Sequence, residues 1–279
     1  MTVDAHHHFW DPALRDYPWM TGPYDALRRA FGPDDLRPLL DECGVEATIV
    51  VQARGDASET TWLLETASLT DWIVGVVGWI DLTATDASEQ IAEHRASPGG
   101  AKLVGIRHQA HDEPDAGWLA RDDVRRGLEA VGEAGLVYDL LVRTRELPAA
   151  HRAAQQLPDL QFVVDHLAKP RVLGGVDDDW TRWMSRLSEL PNVAVKLSGL
   201  VTEGPRESWS AATFDRHVRT VVDRFGADRL LFGSDWPVCE LAASYREVLD
   251  LAHELVLGLL SPAERTSVFG GNALRLYAG

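Results

Sequence analysis

Cysteine is scarce and long apolar runs are missing, and each shortage removes a class of protein. Only Cys43 and Cys239 occur in 279 residues. They lie far apart without metal-knuckle spacing, so neither a disulfide framework nor a zinc ribbon is suggested, and both read as buried thiols. No stretch is apolar for long enough to span a bilayer. The opening Met1-Thr2-Val3-Asp4 leads into an acidic, histidine-bearing segment, not into the basic and apolar regions of a signal peptide. A cytoplasmic location without membrane contact is the expectation. Positive charge is also short: 27 Lys and Arg stand against 43 Asp and Glu, a formal charge of -16. With no basic block to track a phosphate backbone, nucleic acid is not expected as a partner. Linkers, solenoid repeats and low-complexity segments are absent too, so a single domain over 1–279 is the simpler reading.

What is present is a well-stocked core, with 45% hydrophobic residues and ten tryptophans. Indole rings can serve as core mass or as platforms for sugar rings, and composition leaves both uses open. Short apolar, β-branched runs alternate with segments of helical periodicity. Eight such runs stand out: Val3 to Ala5, Ala47 to Gln52, Ile73 to Trp79, Leu103 to Arg107, Leu136 to Leu141, Gln161 to Asp165, Val193 to Leu197 and Leu230 to Phe232. Helices are expected between them, at Glu59 to Leu69, Ala87 to His94, Val124 to Ala134, Pro148 to Leu157, Trp180 to Leu190, Ala212 to Phe225 and Ser244 to Leu260. Ser58 and Asp122 suit N-caps, while Gly135, Gly226 and Pro191 sit where helices should stop. Eight strands alternating with helices predict an α/β fold, a single (β/α)8 TIM-type barrel. The aromatic segment at about 12–38, with Tyr17, Trp19, Met20, Tyr24 and Phe31, reads as an inserted loop over the barrel mouth.

Barrel chemistry gathers at the C-terminal ends of strands, so the polar residues that follow each apolar run are the candidates. After strand one come His6, His7 and His8. Alternation in an extended segment puts His6 and His8 on one face, which suits two imidazoles to one divalent metal or one oxyanion. A tag remnant is the bland alternative, but Phe9-Trp10-Asp11-Pro12 continues as native sequence and not as linker. Gly233-Ser234-Asp235-Trp236-Pro237 follows strand eight and holds Asp235 at the rim. Taken alone, such an Asp is more often a cap; beside the histidines it becomes a candidate for chemistry. Asp165, His166 and Lys169 follow strand six, Asp139 or Arg143 strand five, and Lys196 and Ser198 strand seven. Arg107, His108 and Lys196 are candidates for gripping an anionic or hydroxylated substrate, though surface charge is their commoner fate.

These residues resemble a known family. The pattern of HxH after strand one, His after strand six and Asp after strand eight is similar to the amidohydrolase superfamily. The closer likeness is to its "amidohydrolase 2" branch of lactonases, which includes L-fuconolactonases, L-rhamnonolactonases and 4-sulfomuconolactonases. It runs nearly end to end: DAHHHFWD at 4–11, YPWM at 17–20, GWIDL at 78–82, GIRH at 105–108, YDLLV at 138–142, DHLAKP at 165–170, KLSGLVTE at 196–203 and LFGSDWPVC at 231–239. The resemblance implies hydrolysis of a small-molecule lactone, an aldonolactone such as the L-fucono or L-rhamnono form, by a monomer or homo-oligomer. Asp235 would be the general base and His166 a catalytic partner. Strand five lacks the superfamily's metal-binding histidine and strand four its bridging ligand, so a two-metal centre is disfavoured. His6, His8 and Asp235 remain to hold one divalent ion, zinc or similar; the branch includes members that work with one metal and others that need none. Trp10, Trp19 and Trp236 are expected to stack on the substrate, with Arg107, His108 and Lys196 binding it. Three alternatives stay open: a metal-dependent decarboxylase of an unsaturated or aromatic acid, a hydrolase of a non-sugar dicarboxylic lactone, and a sugar-acid binding protein without turnover.

Overall fold

A computed structural model describes residues 1–173 and 177–277. Eight parallel strands form one sheet in sequence order: β1 (Val3–His7), β2 (Ala47–Val51), β3 (Ile73–Gly78), β4 (Leu103–His108), β5 (Val137–Leu140), β6 (Phe162–Val164), β7 (Val193–Leu197) and β8 (Leu230–Phe232). The helices outside them are α1 (Pro33–Cys43), α2 (Ala57–Ser68), α3 (Ala87–Ala96), α4 (Asp122–Glu133), α5 (Leu147–Gln156), α6 (Asp178–Ser188), α7 (Leu200–Glu203), α8 (Ala211–Phe225), α9 (Tyr245–Leu257), α10 (Pro262–Thr266) and α11 (Asn272–Tyr277). The eight expected strands are all present. None of the helices, among the described residues, is long and apolar enough to cross a membrane.

Side-chain alternation splits the core in two. One cluster takes inward residues such as Val3, Ala5, Ile49, Val163 and Leu231 and is plugged by Tyr277 of α11. The larger one fills the space between strands and helices, with Val50, Val76, Phe162 and Phe232 facing outward. β-branched residues make up most of β2, β3 and β6 because they pack well on a pleated, fully covered surface.

β1 carries the irregularity that matters most. Its register against β2 runs Asp4 with Thr48 and then His7 with Val50, so one extra residue is inserted. Such a bulge re-aims side chains. Asp4 and His7 point outward, to Tyr245 and Thr48 respectively, and His6 and His8 are turned into the mouth. The barrel then closes through β1 and the segment after β8: Asp235 N donates to His6 O at 2.8 Å and His8 N to Trp236 O at 2.7 Å. Closure of the barrel therefore sets Asp235 beside the two histidines.

Two expected caps are displaced. Asp56, not Ser58, caps α2, its carboxylate accepting from Ser58 N, because the helix begins two residues earlier than the apolar periodicity shows. Asp122 is the first residue of α4, following Arg121. The segment after β1 also differs from a loop over 12–38, since the chain turns helical at Pro33. α1 was missed because Pro38 interrupts its pattern; the first turn's Pro33, Asp34 and Asp35 carry the start signal.

Candidate active site

The mouth of the barrel opens into a cavity of about 340 Å³, open to solvent on one side. Asp235, His8, His166 and Arg107 line it, and Trp19 and Tyr24 of the segment after β1 lie over it. Asp235 Oδ1 is 3.4 Å from His8 Nε2 and 3.8 Å from both His6 Nε2 and His166 Nε2. All four side chains are buried. The backbone carries strain here. Asp235 has φ 58, and His166 begins a run of four non-glycine residues with positive φ. Such left-handed residues persist only where their surroundings hold them.

Hydrogen bonds fix the imidazole tautomers. His8 Nδ1 lies 2.7 Å from Val51 O, which only accepts, so Nδ1 carries the proton and Nε2 a lone pair. Arg107 Nη1 lies 3.2 Å from His6 Nε2 and can only donate, so that nitrogen too is an acceptor. His6 Nδ1 lies 3.2 Å from Asp165 Oδ1 and 3.3 Å from Lys196 Nζ. Two lone pairs and a carboxylate oxygen therefore converge, with the two Nε2 atoms 3.2 Å apart. Ligands about 2.0–2.1 Å from a tetrahedral zinc would be about 3.3 Å from one another, and the observed edges are 3.2, 3.4 and 3.8 Å. The donor set fits one divalent cation held by His6, His8 and Asp235. A second cluster, His6, Asp165 and His166, is less apt because Asp165 is already gripped by Lys196 Nζ at 3.2 Å and Arg107 Nη1 at 3.0 Å.

Burial pushes the Asp235 carboxyl up, but His166, His8 and Lys169 outweigh it and hold the group below 3.8. Asp165 behaves in the same way: burial raises it, and Lys196, His6 and Arg107 bring it well below 3.8. Burial lowers His6, His8 and His166, keeping them neutral. Burial thus disfavours charge on the imidazoles, while contacts with His166 and His8 and the charge of Lys169 favour it on Asp235.

Asp4 fixes this geometry from outside the barrel. Its carboxylate accepts from His6 N at 3.1 Å, Ser234 N at 2.9 Å, Ser234 Oγ at 2.6 Å and Tyr245 OH at 3.0 Å, tying β1, α9 and the Asp235 segment together. Nothing in the sequence marks Asp4 for this, since it precedes the histidines on a strand. Gln109 and His111, further along the loop after β4, also line the cavity. Following that loop three residues beyond His108 would have found them.

The structure moves four expected substrate contacts away from the cavity. Lys196 has no exposed surface; it points below His6, where its ammonium bonds Asp139 and lies 3.2 Å from Asp165. Trp10 is sealed beneath the mouth segment, donating to Leu27 O. Trp236 packs on Phe9 and Phe31 and donates to Glu240. His108 stacks on Trp118, accepts from Trp79 Nε1 and bonds Glu113. Trp19 and Arg107 do line the cavity.

A buried Asp after β8, an HxH pair at the end of β1 and a histidine after β6, at the C-terminal mouth of a (β/α)8 barrel, define an amidohydrolase-type enzyme site. The chain belongs to the Amidohydrolase family, whose profile matches residues 3–279. It is 41% identical over 279 residues to a protein of Burkholderia ambifaria named L-fucono-1,5-lactonase, covering 99% of this chain and 94% of that one. A protein of the same name from Burkholderia multivorans is 41% identical over 288 residues, covering 100% and 96%. A crystal structure of an amidohydrolase from Burkholderia multivorans with bound zinc superposes with a TM-score of 0.93 at 39% identity, covering 100% of this chain and 99% of that one.

Proposed function

We propose that this protein hydrolyses a sugar-acid lactone to its open-chain acid, with Asp235 as general base. The observation that carries the reading is the buried Asp235 carboxylate, 3.4–3.8 Å from the Nε2 atoms of His8, His6 and His166, in a cavity large enough for a sugar ring. Its similarity to L-fucono-1,5-lactonases points to an aldonolactone as substrate. Asp235 takes a proton from water as the oxygen bonds to the lactone carbonyl carbon. The tetrahedral intermediate collapses with cleavage of the bond to the ring oxygen, and Asp235 returns the proton to that leaving oxygen. The new carboxylic acid then loses its own proton to solvent.

His166 and Arg107 are the proposed partners of the developing oxyanion, and preorganised donors are where such sites gain most. Ser198 Oγ lies 2.9 Å from His166 Nδ1; with the hydroxyl donating, His166 presents its Nε2 proton to the mouth. Arg107 holds the positive charge closest to His6, its guanidinium fixed by Asp165 and by the carbonyl of Gln52. His6, His8 and Asp235 would hold one zinc-like ion, and such an ion polarises a carbonyl and acidifies bound water. A cytoplasmic location, with a small molecule as sole partner in the reaction, belongs to the same reading.

The test is a pH-indicator screen of fucono-, rhamnono-, galactono- and xylono-lactones, with and without chelator. Acid release from at least one, well above spontaneous hydrolysis, is expected. Failure on all four would sink the proposal, and carbon dioxide release from a carboxylated aromatic acid would redirect it to decarboxylation.

A further inference from the structure

The turn after β6 has two ends in the cavity. His166 is one and Lys169 the other, and the four residues from His166 to Lys169 have φ of 52, 52, 59 and 47. Left-handed conformations cost non-glycine residues about 1–3 kcal/mol each. The turn is held by its fully buried middle, Leu167 and Ala168, and by Trp180 Nε1, which donates to Leu167 O at 2.7 Å. A lysine needed only for a surface ion pair requires no such backbone.

At the rim, Lys169 Nζ donates to Glu203 Oε1 at 2.8 Å, and Arg143 Nη1 reaches Glu203 Oε2 at 3.4 Å. Lys169 and Glu203 are mostly covered, with side chains 14% and 15% exposed. Lys169, Arg143 and Thr202 all wall the cavity. Neither Lys169 nor Glu203 makes or breaks a bond or moves a proton in the proposed lactone chemistry, and Lys169 bears on Asp235 only through its charge.

We propose that Lys169 and Glu203 form a specificity subsite that reads a vicinal diol on the sugar ring, an inference that rests on the lactonase reading above. An ammonium and a carboxylate held side by side offer a donor and an acceptor at once. A hydroxyl can accept from the first and donate to the second, and neighbouring hydroxyls can use both. Bonds to charged partners are the stronger kind. Arg143 holds Glu203 by its second oxygen and keeps the first turned to Lys169.

The experiment compares wild type, Lys169→Met and Glu203→Gln on L-fucono-1,5-lactone and on δ-valerolactone, the same ring without hydroxyls. Each variant is expected to lose about tenfold or more in kcat/KM on the hydroxylated lactone, mainly through KM. On δ-valerolactone Glu203→Gln should stay within about twofold of wild type, whereas Lys169→Met also removes a charge that bears on Asp235 and is therefore read by lactam binding. For Glu203→Gln, equal losses on the two rings, or no loss on either, would overturn the subsite. Calorimetric binding of the fucono-1,5-lactam, in which ring nitrogen replaces ring oxygen, reads the subsite without turnover. If wild type hydrolyses no lactone yet both variants bind the lactam about tenfold more weakly, the reaction assignment fails and the subsite stands. Unchanged lactam affinity removes the subsite whatever the turnover. Glu203→Gln preserves side-chain size and carries the test if Lys169→Met does not fold.

Discussion

Replacing Asp235 by Asn removes one charge and leaves almost everything else in place. Side-chain volume is conserved, and the backbone bond from residue 235 N to His6 O at 2.8 Å does not depend on the side chain. Asn also tolerates the left-handed conformation, φ 58, that Asp235 adopts. What disappears is the proton acceptor, together with the charge on one of the three groups proposed to hold a cation. Burial alone would raise the Asp235 carboxyl, but His166, His8 and Lys169 hold it below 3.8, so it is ionised at neutral pH. The carboxamide cannot take a proton from water. Loss of a positioned general base typically slows a reaction about 10²–10⁴-fold, about 2.7–5.5 kcal/mol of barrier. We expect that loss in kcat, with KM within about threefold, because Trp19, Arg107 and the rim residues still line the cavity. Initial rates on an aldonolactone, followed by pH indicator in weak buffer, measure it, with circular dichroism and a thermal melt to certify folding. A folded Asp235→Asn protein that keeps more than a tenth of the wild-type kcat would refute the assignment.

Gly199→Ala should disable His166 without touching it chemically: φ is 62, and an added Cβ would lie 2.5 Å from His166 Nδ1. A kcat loss of about tenfold and about 1–3 kcal/mol lost to strain are expected; a near-normal rate would show that the position of His166 is unimportant. Lys196→Met leaves Asp139 and Asp165 without their shared buried cation, and urea unfolding should show a loss of about 3–5 kcal/mol; a loss under about 1 kcal/mol would contradict the buried network. His111 is lowered to about 3 by burial and then by Lys169, Arg143 and Arg107, so below about pH 6.5 the unfolded chain takes up a proton that the folded one refuses. Stability from this group is complete above that pH and falls by up to about 1.4 kcal/mol per unit below it. Because burial raises Asp4 and Asp139 to about 6 and Glu59 to about 7, with the opposite effect, the measurable quantity is the difference between wild type and His111→Asn. That difference should move in the variant's favour from pH 7 to 5, and a constant difference would count against it. Elemental analysis after zinc loading and dialysis should find about one zinc per chain in wild type and less than half in His8→Asn, with equal retention by both excluding this ligand set.

The eight strands were legible because their apolar runs are buried on both faces and leave a strong signal. Strand ends were legible too, which is why His6, His8, His166 and Asp235 could be named before any coordinates. Their convergence was not, since it depends on the bulge in β1 and on hydrogen bonds that join β1 to the segment after β8. Alternation correctly paired His6 with His8 but gives no hint that an inserted residue turns both inward. Lys196, Trp10, Trp236 and His108 were misplaced for a common reason. A residue near a strand end can lie in the cavity, below it or behind it, and only depth along the barrel axis decides. Lys196 is one layer too deep, while His108 is turned toward Trp118.

That deeper layer also limits the metal count. Arg107 and Lys196 lie below the histidines against Asp139 and Asp165, two cations with two carboxylates, and Tyr277 OH closes the set on Asp139 at 2.6 Å. The charges balance, so the layer needs no further cation. These residues come from β4, β5 and the end of β6 and from β7, the side of the barrel where a second ion would need ligands. Two unit charges 4 Å apart interact by about 4 kcal/mol at an effective dielectric constant of 20, and a divalent ion doubles that against each of the two fixed cations. Asp139 and Asp165 are already committed to those cations and offer it little compensation. Toward the mouth the balance differs: two imidazole lone pairs face the Asp235 carboxylate, and Arg107 reaches only one of them. A cation held by His6, His8 and Asp235 would be favoured there, and a second one beside Lys196 and Arg107 would be repelled, which is the physical reason the proposed site has room for one metal.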